Sequence, residues 1–415
     1  MARILITTFG SFGDVYPYIA LGTELQRRGH GVAIATSASY QARVEAEDLA
    51  FSAIRPDIDL NNEALLSYVM DARHGSERVV RYLADVVHES YTDTLEAARH
   101  ADAIVTHPVT FAAVLVAGKL GLRWISTVLA PLSFLSAYDP PVSPLAPWLH
   151  SLRILGPRFM KGFWDLGRKQ TLPWVRPILE LRRELGLSPG KHPLFDDSHS
   201  PWAVLALFSR YLAPAQPDWP LHTVVTGFPF YDHGGLPVQL QDFLSAGPPP
   251  VMFTLGSSAV SAAGTFYLDS LAAVRKLGCR AVFLTGTRPQ GLPVNLPAGT
   301  MAVPYAPHGA AFPHAAVLVH QGGIGTMAQA LRSGKPQLVV PFAHDQFDNA
   351  ARVRRLGVAE VLQRSHYRPH RIAQSLRQLL EESSYASAAT CISERIRTEN
   401  GCKSAADIIE RIVRT

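Results

Sequence analysis

At 415 residues and 47% hydrophobic content, the chain exceeds one ordinary core, and two domains of roughly 200 residues each are expected. Its formal net charge of +5 is modest for this length and argues against a nucleic-acid partner. The three cysteines, Cys279, Cys391 and Cys402, have no Cys-x-x-Cys spacing, which removes zinc knuckles and redox pairs from consideration and fits reduced thiols in a cytosolic compartment.

From the start of the chain, Met1, Ala2 and Arg3 lead into the apolar run Ile4, Leu5 and Ile6, and Gly10, Gly13 and Asp14 arrive too soon for a signal peptide. The pattern predicts a strand at 3–9, a glycine-bearing loop at 10–14, a helix at about 17–28 stopped by Gly29, and a second strand at 31–36. Strand, helix and strand in this span make a βαβ crossover. The same grammar returns as a strand at 103–106, a helix at 111–120 and a strand at 124–128, which predicts a first doubly wound parallel sheet. The longest apolar stretch, 111–118, falls far short of the ~18 residues that cross a bilayer.

Residues 212–250 are rich in proline and glycine and end in Gly247, Pro248, Pro249 and Pro250, an interdomain connection by composition. The pattern then restarts with a strand at 251–255, a loop at 256–258, a helix near 267–277 and a strand at 280–285. Further strands are predicted at 301–303, 317–319 and 337–340, with a helix at about 325–333 between the last two. This is a second α/β domain. Residues 405–413 form a plausible amphipathic helix.

The strongest chemical signal is His320-Gln321-Gly322-Gly323-Ile324-Gly325-Thr326, which follows a predicted strand and opens a predicted helix. Glycines there let backbone N–H groups approach an anion, and the helix dipole adds to the attraction. The segment reads as a diphosphate cradle in which His320 and the Thr326 hydroxyl can each donate to a phosphate oxygen. Asp345 and Gln346, at the end of the next strand, offer an acceptor and a donor to sugar hydroxyls. His320 by itself would more often be an ordinary strand-end histidine. Its weight comes from its neighbours.

The stretch from Tyr305-Ala306-Pro307-His308 through Asn349 resembles the donor-binding signature of inverting nucleotide-sugar glycosyltransferases with the GT-B fold, two Rossmann-like doubly wound domains facing a central cleft. The residues from Phe9 to Pro17 look like the N-terminal acceptor loop of that family, and 251–258 like its second-domain phosphate loop. Ala343-His344-Asp345-Gln346-Phe347-Asp348-Asn349-Ala350 and Thr226-Gly227-Phe228-Pro229 are most similar to the bacterial rhamnosyltransferases that build rhamnolipids, with sterol and polyketide glucosyltransferases next. The resemblance implies that Tyr305 stacks on the base, which leaves uridine and thymidine unresolved. It further implies that His320, Gly322, Gly323, Gly325 and Thr326 hold the diphosphate with Ser257 on its other side, and that Asp345 and Gln346 contact the sugar. His308 stands where many relatives have Gln. Gln329 stands where many have a ribose-binding Glu, so charge assistance there is weaker. The implied boundaries are an acceptor domain at 1–213, a connection at 214–250, a nucleotide-sugar domain at 251–395 and a C-terminal helix at 396–415 that could pack back on the first domain.

In the same light Asp14, within Gly13-Asp14-Val15-Tyr16-Pro17, is the candidate catalytic base, since many bacterial relatives carry Asp where plant ones carry His. A base must lie within hydrogen-bond reach of the attacking hydroxyl. An aspartate of ordinary pKa, ~3.9, is feeble unless burial raises it, and the competing reading is a cap for the following helix. The implied reaction moves a hexose, with inversion, from a UDP- or dTDP-sugar to a hydroxyl of a hydrophobic acceptor: a hydroxy-fatty acyl lipid, sterol, polyketide or phenolic. Neither a cofactor nor a metal is required. Residues 131–175 carry Phe134, Tyr138, Trp148, Phe159, Phe163, Trp164 and Trp174, with Arg153, Arg158, Lys161, Arg168 and Lys169 among them. Aromatics in a core with cations on a solvated face are the ordinary explanation. The other is an acyl-lipid acceptor pocket with a peripheral seat at the inner face of a membrane. Rival activities are a nucleotide-sugar 2-epimerase and a non-catalytic activator of the same fold. A dehydrogenase is disfavoured by the missing Gly-x-Gly-x-x-Gly.

Overall fold

The computed structural model describes residues 1–58, 62–143, 147–287 and 291–414. Two compact units divide the chain. The first comprises residues 1–62, 73–231 and 399–415, and the second residues 63–72 and 232–398. The segment 214–231 therefore belongs to the first unit rather than to a connection, and residues 63–72 join the second.

Among the described residues the first unit holds seven strands: β1 (Arg3–Thr7), β2 (Gly31–Thr36), β3 (Ala50–Ala53), β4 (Ala103–Thr106), β5 (Arg123–Val128), β6 (Val204–Ala206) and β7 (Thr223–Val225). They lie in the order β3-β2-β1-β4-β5-β6-β7, and each neighbouring pair is parallel. All four residues of β4 are buried, as a parallel strand covered on both faces requires. Leu5 and Ile104 project to one face, where they meet Phe111, Leu115 and Val116 of the helix Phe111–Leu120. The helix Gly401–Arg414 seals this unit near its N-terminal crossover: Arg28 reaches Asp407 at 2.6 Å and the Lys403 carbonyl at 3.2 Å, and His30 pairs with Glu410 at 2.9 Å.

The second unit holds β8 (Val251–Thr254), β9 (Ala281–Leu284), β10 (Thr300–Val303), β11 (Val317–His320), β12 (Gln337–Val339) and β13 (Ala359–Val361). Their order is β10-β9-β8-β11-β12-β13, again parallel throughout. The two-residue period of the strands splits its core. Val251, Phe253, Val317 and Val319 face one layer with Leu271 and Leu376, while Met252, Val282 and Leu318 face another with Phe312 and Ala330. Each fully buried aliphatic or aromatic side chain contributes roughly 1.5–3 kcal/mol by removal from water, so both faces of this sheet are strongly fixed.

The two orders share one feature that matters for function. Strand order reverses between β1 and β4 in the first unit and between β8 and β11 in the second. At such switch points the loops leaving adjacent strands diverge to opposite faces and open a crevice at their carboxyl ends.

Candidate functional site

In the first unit, the loops after β1 and β4 bring together Asp14 and a residue the sequence reading did not single out, His107. The helix after β1 begins at Phe12, not near Pro17, and runs Phe12–Arg27. Pro17 suggested a helix start because proline suits the first turn, but the turn is set earlier by Ser11 and Asp14. Asp14 Oδ2 accepts from the Ser11 N–H at 2.8 Å and from its hydroxyl at 2.9 Å. Asp14 thus does serve the helix terminus, with one oxygen. Its other oxygen, Oδ1, lies 3.7 Å from His107 Nε2, an electrostatic approach rather than a formed hydrogen bond.

The His107 ring is aimed. Its Nδ1 accepts from the Val109 N–H at 3.3 Å, which assigns the proton of the neutral ring to Nε2, the nitrogen facing Asp14. Tyr18 packs edge-on against the imidazole at 5.8 Å, and the His107 N–H binds the Thr7 carbonyl at 3.1 Å. Burial pushes the Asp14 carboxyl up, but His107 and the Ser11 donors pull it further down, so it stays below the usual carboxylate range. Gly10 makes the arrangement possible: its φ is +131°, and a Cβ there would collide with the Asp14 carboxylate. Beside His107 lies a pocket lined by Pro108, Phe111, Val114, Ile178 and Leu179.

In the second unit, the loops after β8 and β11 meet. The segment 256–258, expected as a loop, is a short helical turn, Gly256–Ala259, that carries Ser257. A Cβ on Gly256 would stand 2.5 Å from Gln321 Nε2 and 3.4 Å from Thr326 Oγ1. Ser257 is therefore carried next to the start of the helix Ile324–Ser333. No side chain caps that helix at Gly323. An α-helix leaves its first four N–H groups without intrahelical acceptors and carries about half a positive charge at this end. Here those groups belong to Gly323, Ile324, Gly325 and Thr326.

His320 needs a correction. Its side chain is fully buried, Nε2 binds Gln337 Oε1 at 3.0 Å, and Nδ1 accepts from the Gly322 N–H at 3.0 Å. Both ring nitrogens are spent within the fold, so no N–H remains for a phosphate oxygen. Its role here is to bend the cradle. Burial, with the Gln337 contact opposing weakly, pulls its pKa down to about 4, and the ring is neutral at physiological pH. Gly322 completes the bend at φ +86°, where a Cβ would press on Val339 at 2.8 Å. Thr326 is 8% exposed and accepts from Gln321 Nε2 at 3.4 Å, which leaves its own hydroxyl hydrogen free to donate.

The loop after β12 closes on the same place. Asn349 Nδ2 bridges the Gly322 carbonyl at 3.0 Å and Asp345 Oδ2 at 2.7 Å. Gln346 Oε1 accepts from the Phe342 and Ala343 N–H groups at 2.8 and 3.1 Å, so only its amide hydrogens remain for a ligand. Gln329 sits one turn along the helix from Thr326, and its Oε1 is buried with no partner among the described residues. His308 stacks on Phe312 at 4.4 Å, and burial, with neighbouring His320 and His233, lowers its pKa to about 4. Tyr305 is 45% exposed and bonds His233 Nε2 through its hydroxyl at 2.7 Å. Ser257, the cradle, Asp345 and Gln346 thus gather at one helix terminus, and Gln329 lies along the same helix.

Sequence reasoning overlooked His107, Gln337, Gln321 and Asn349. A histidine immediately after a predicted strand that neighbours β1 was the available signal for the first. Nothing local marks Gln337 as the partner of His320. Among the described residues no group of three His, Cys, Asp or Glu is placed to hold a metal ion. The sequence does contain one Asp-x-Asp spacing, Asp57-Ile58-Asp59; Asp57 accepts from the Ser37 hydroxyl, and Asp59 lies outside the described residues. Of the aromatics at 131–175, Phe134 and Trp164 are core, whereas Tyr138, Trp148 and Phe159 are exposed; residues 144–146 of that stretch lie outside the described ones.

Comparison with known proteins adds the following. Residues 4–116 match the glycosyltransferase family 28 N-terminal domain, and residues 270–413 the erythromycin biosynthesis protein CIII-like C-terminal domain. The O-mycaminosyltylonolide 6-deoxyallosyltransferase of Streptomyces fradiae is 30% identical over 430 residues, covering 100% of this chain and 98% of that one. The sterol 3-beta-glucosyltransferase of Leptosphaeria maculans is 27% identical over 434 residues, which take in 98% of this chain but 28% of that longer protein. A spinosyn rhamnosyltransferase solved with thymidine diphosphate superposes with a TM-score of 0.71 at 19% identity, covering 99% of this chain and 100% of that one.

Proposed function

The chain belongs to the GT-B nucleotide-sugar glycosyltransferases, and from that premise we propose that it transfers a hexose, with inversion, from a UDP- or dTDP-sugar to a hydroxyl of an apolar acceptor such as a polyketide, sterol or hydroxy-fatty acyl lipid. The observation that carries this reading is the uncapped N-terminus of the helix Ile324–Ser333 at the β8/β11 switch point. Amides fixed before the ligand arrives need no reorganisation as charge develops on the leaving diphosphate. Thr326 adds a hydroxyl donor, Tyr305 a face for the base, and Asp345 and Gln346 an acceptor and donors for the sugar.

The acceptor oxygen attacks the anomeric carbon while the bond from that carbon to the diphosphate oxygen breaks. The hydroxyl proton passes to Asp14 Oδ1, and the electron pair of the broken bond leaves on the diphosphate. His107 faces the receiving oxygen and Ser11 holds the other one. A carboxylate kept below its usual range is a weak proton acceptor at rest, so it gains force only as the attacking oxygen becomes acidic in the transition state. The family's macrolide and sterol relatives favour a hydrophobic acceptor. The reaction is proposed to run without a metal, so chelation with EDTA should leave the rate unchanged.

The test is a panel of UDP- and dTDP-sugars against sterol, macrolide and hydroxy-fatty acyl acceptors, read by mass spectrometry. Asp14→Asn should lower turnover by about 10²–10⁴-fold with donor affinity unchanged. Parent-like turnover by that variant would remove Asp14 as base. Isomerisation of the donor with no acceptor present would point to an epimerase instead.

A further inference from the structure

The first unit carries a face that its own core does not use. In the short helical stretch Pro147–Leu155, which has three residues per turn, Trp148 and Ile154 fall on one side and are 60% and 85% exposed. In the following helix, Pro157–Thr171, Phe159 and Leu166 are seven residues apart, hence on one face, and are also exposed. The opposite sides of both segments are already satisfied. Leu149, Met160 and Trp164 form a buried cluster with Ala137, and Trp164 donates to the Ser136 carbonyl at 3.3 Å. The exposed apolar residues are therefore a second stripe, not the edge of the first.

Charge says what covers it. Residues 147–171 contain five basic side chains and a single carboxylate, Asp165, which pairs with Arg168 at 3.3 Å. Arg158, Lys161 and Lys169 are exposed and form no ion pair among the described residues. A protein partner is disfavoured, because the cores of protein interfaces are depleted in lysine. Aliphatic and aromatic residues beside unpaired cations, with a tryptophan at the margin, are the composition of helices that lie in the interfacial plane of a bilayer. We propose that the face formed by Trp148, Ile154, Phe159 and Leu166, flanked in the helix by Arg158 and Lys169, docks the protein on an anionic phospholipid surface. The apolar stripe enters the headgroup boundary and the cations meet lipid phosphates. Arg158 and Lys169 contribute as charges within a Debye length of the surface, so the docking weakens with salt. Docking is independent of the catalytic reading and is measured without turnover.

The experiment sediments the full chain with vesicles of phosphatidylcholine alone and of phosphatidylcholine mixed with phosphatidylglycerol. The chain should pellet with the anionic vesicles, come off as salt is raised, and bind the neutral ones weakly. Ile154→Asp combined with Phe159→Asp should lower the bound fraction at least about tenfold. Lys169→Glu should weaken binding about fivefold. All three positions are exposed, so the variants should keep the parent's circular dichroism, unfolding midpoint and nucleotide affinity. A chain that stays in the supernatant with anionic vesicles, or that binds both kinds equally, overturns the proposal. So does light scattering that finds the parent dimeric and the Ile154→Asp/Phe159→Asp variant monomeric, because a second copy would then own the face.

Discussion

Asp14 has its two carboxylate oxygens in different employment, and that division makes a prediction about pH. Oδ2 closes the first helical turn with Ser11, and Oδ1 faces His107. Burial alone would raise the carboxyl, while the imidazole and the Ser11 donors outweigh it. In the parent, Asp14 is therefore ionised down to a pH below the usual carboxylate range, and with Asp14 as the proposed base, activity should be lost only as pH falls through that low value. His107→Ala removes the imidazole but leaves the burial, so the acid limb of kcat/KM should move to higher pH and kcat should drop about 10–100-fold, as for other positioning partners. An unmoved limb would mean that His107 only packs. Gly10→Ala should also reduce kcat, through strain at φ +131° and pressure on the carboxylate, with nucleotide affinity retained because the change lies in the first unit. The place of Asp14 after the first strand, and its family resemblance, could be read locally. His107 could not be, because its significance depends on β4 lying beside β1, a pairing between residues about a hundred positions apart.

At the level of elements, the proposed function rests donor binding on the helix Ile324–Ser333. Thr326→Val keeps the shape of the side chain and removes its hydroxyl, so affinity for UDP or dTDP should fall about tenfold, the worth of one hydrogen bond to a charged group. Isothermal titration checks this, and unchanged affinity would place the diphosphate elsewhere. The glycine bend and the helix start were readable because they are local features: strand, bend and helix adjoin in sequence. The duty of His320 was not. A histidine at a strand end can face a ligand or the interior, and Gln337, on the neighbouring strand, holds it inward. The first helix was placed too late for a related reason: Pro17 lies inside it, and the start is set by the reciprocal bonding of Ser11 and Asp14.

Across the whole molecule, the alternation of strands and helices disclosed two doubly wound sheets, because apolar runs punctuated by glycine recur with the same spacing in both halves. The membership of residues 63–72 was hidden, since no local signal says which core a short amphipathic helix will join. One property of the entire chain follows from its interior histidines. His199, His308 and His320 are held neutral, each pulled by burial from the ordinary 6.5 to about 4. Between those values the unfolded chain binds more protons than the folded one, so their contribution to stability is complete above about pH 6.5 and is lost as pH falls toward about 4. His308→Gln should flatten the dependence of the unfolding midpoint on pH in that window; an unchanged slope would show that His308 titrates normally.

The most direct trial of the account is hydrogen–deuterium exchange along the chain with and without saturating UDP or dTDP. If the helix terminus grips the diphosphate, at least one of the two nucleotides will slow exchange at the amides of Gly323, Ile324, Gly325 and Thr326 more than elsewhere in the second unit. Nucleotide binding that leaves those amides exchanging at their free rate, with protection falling on another segment, would contradict it.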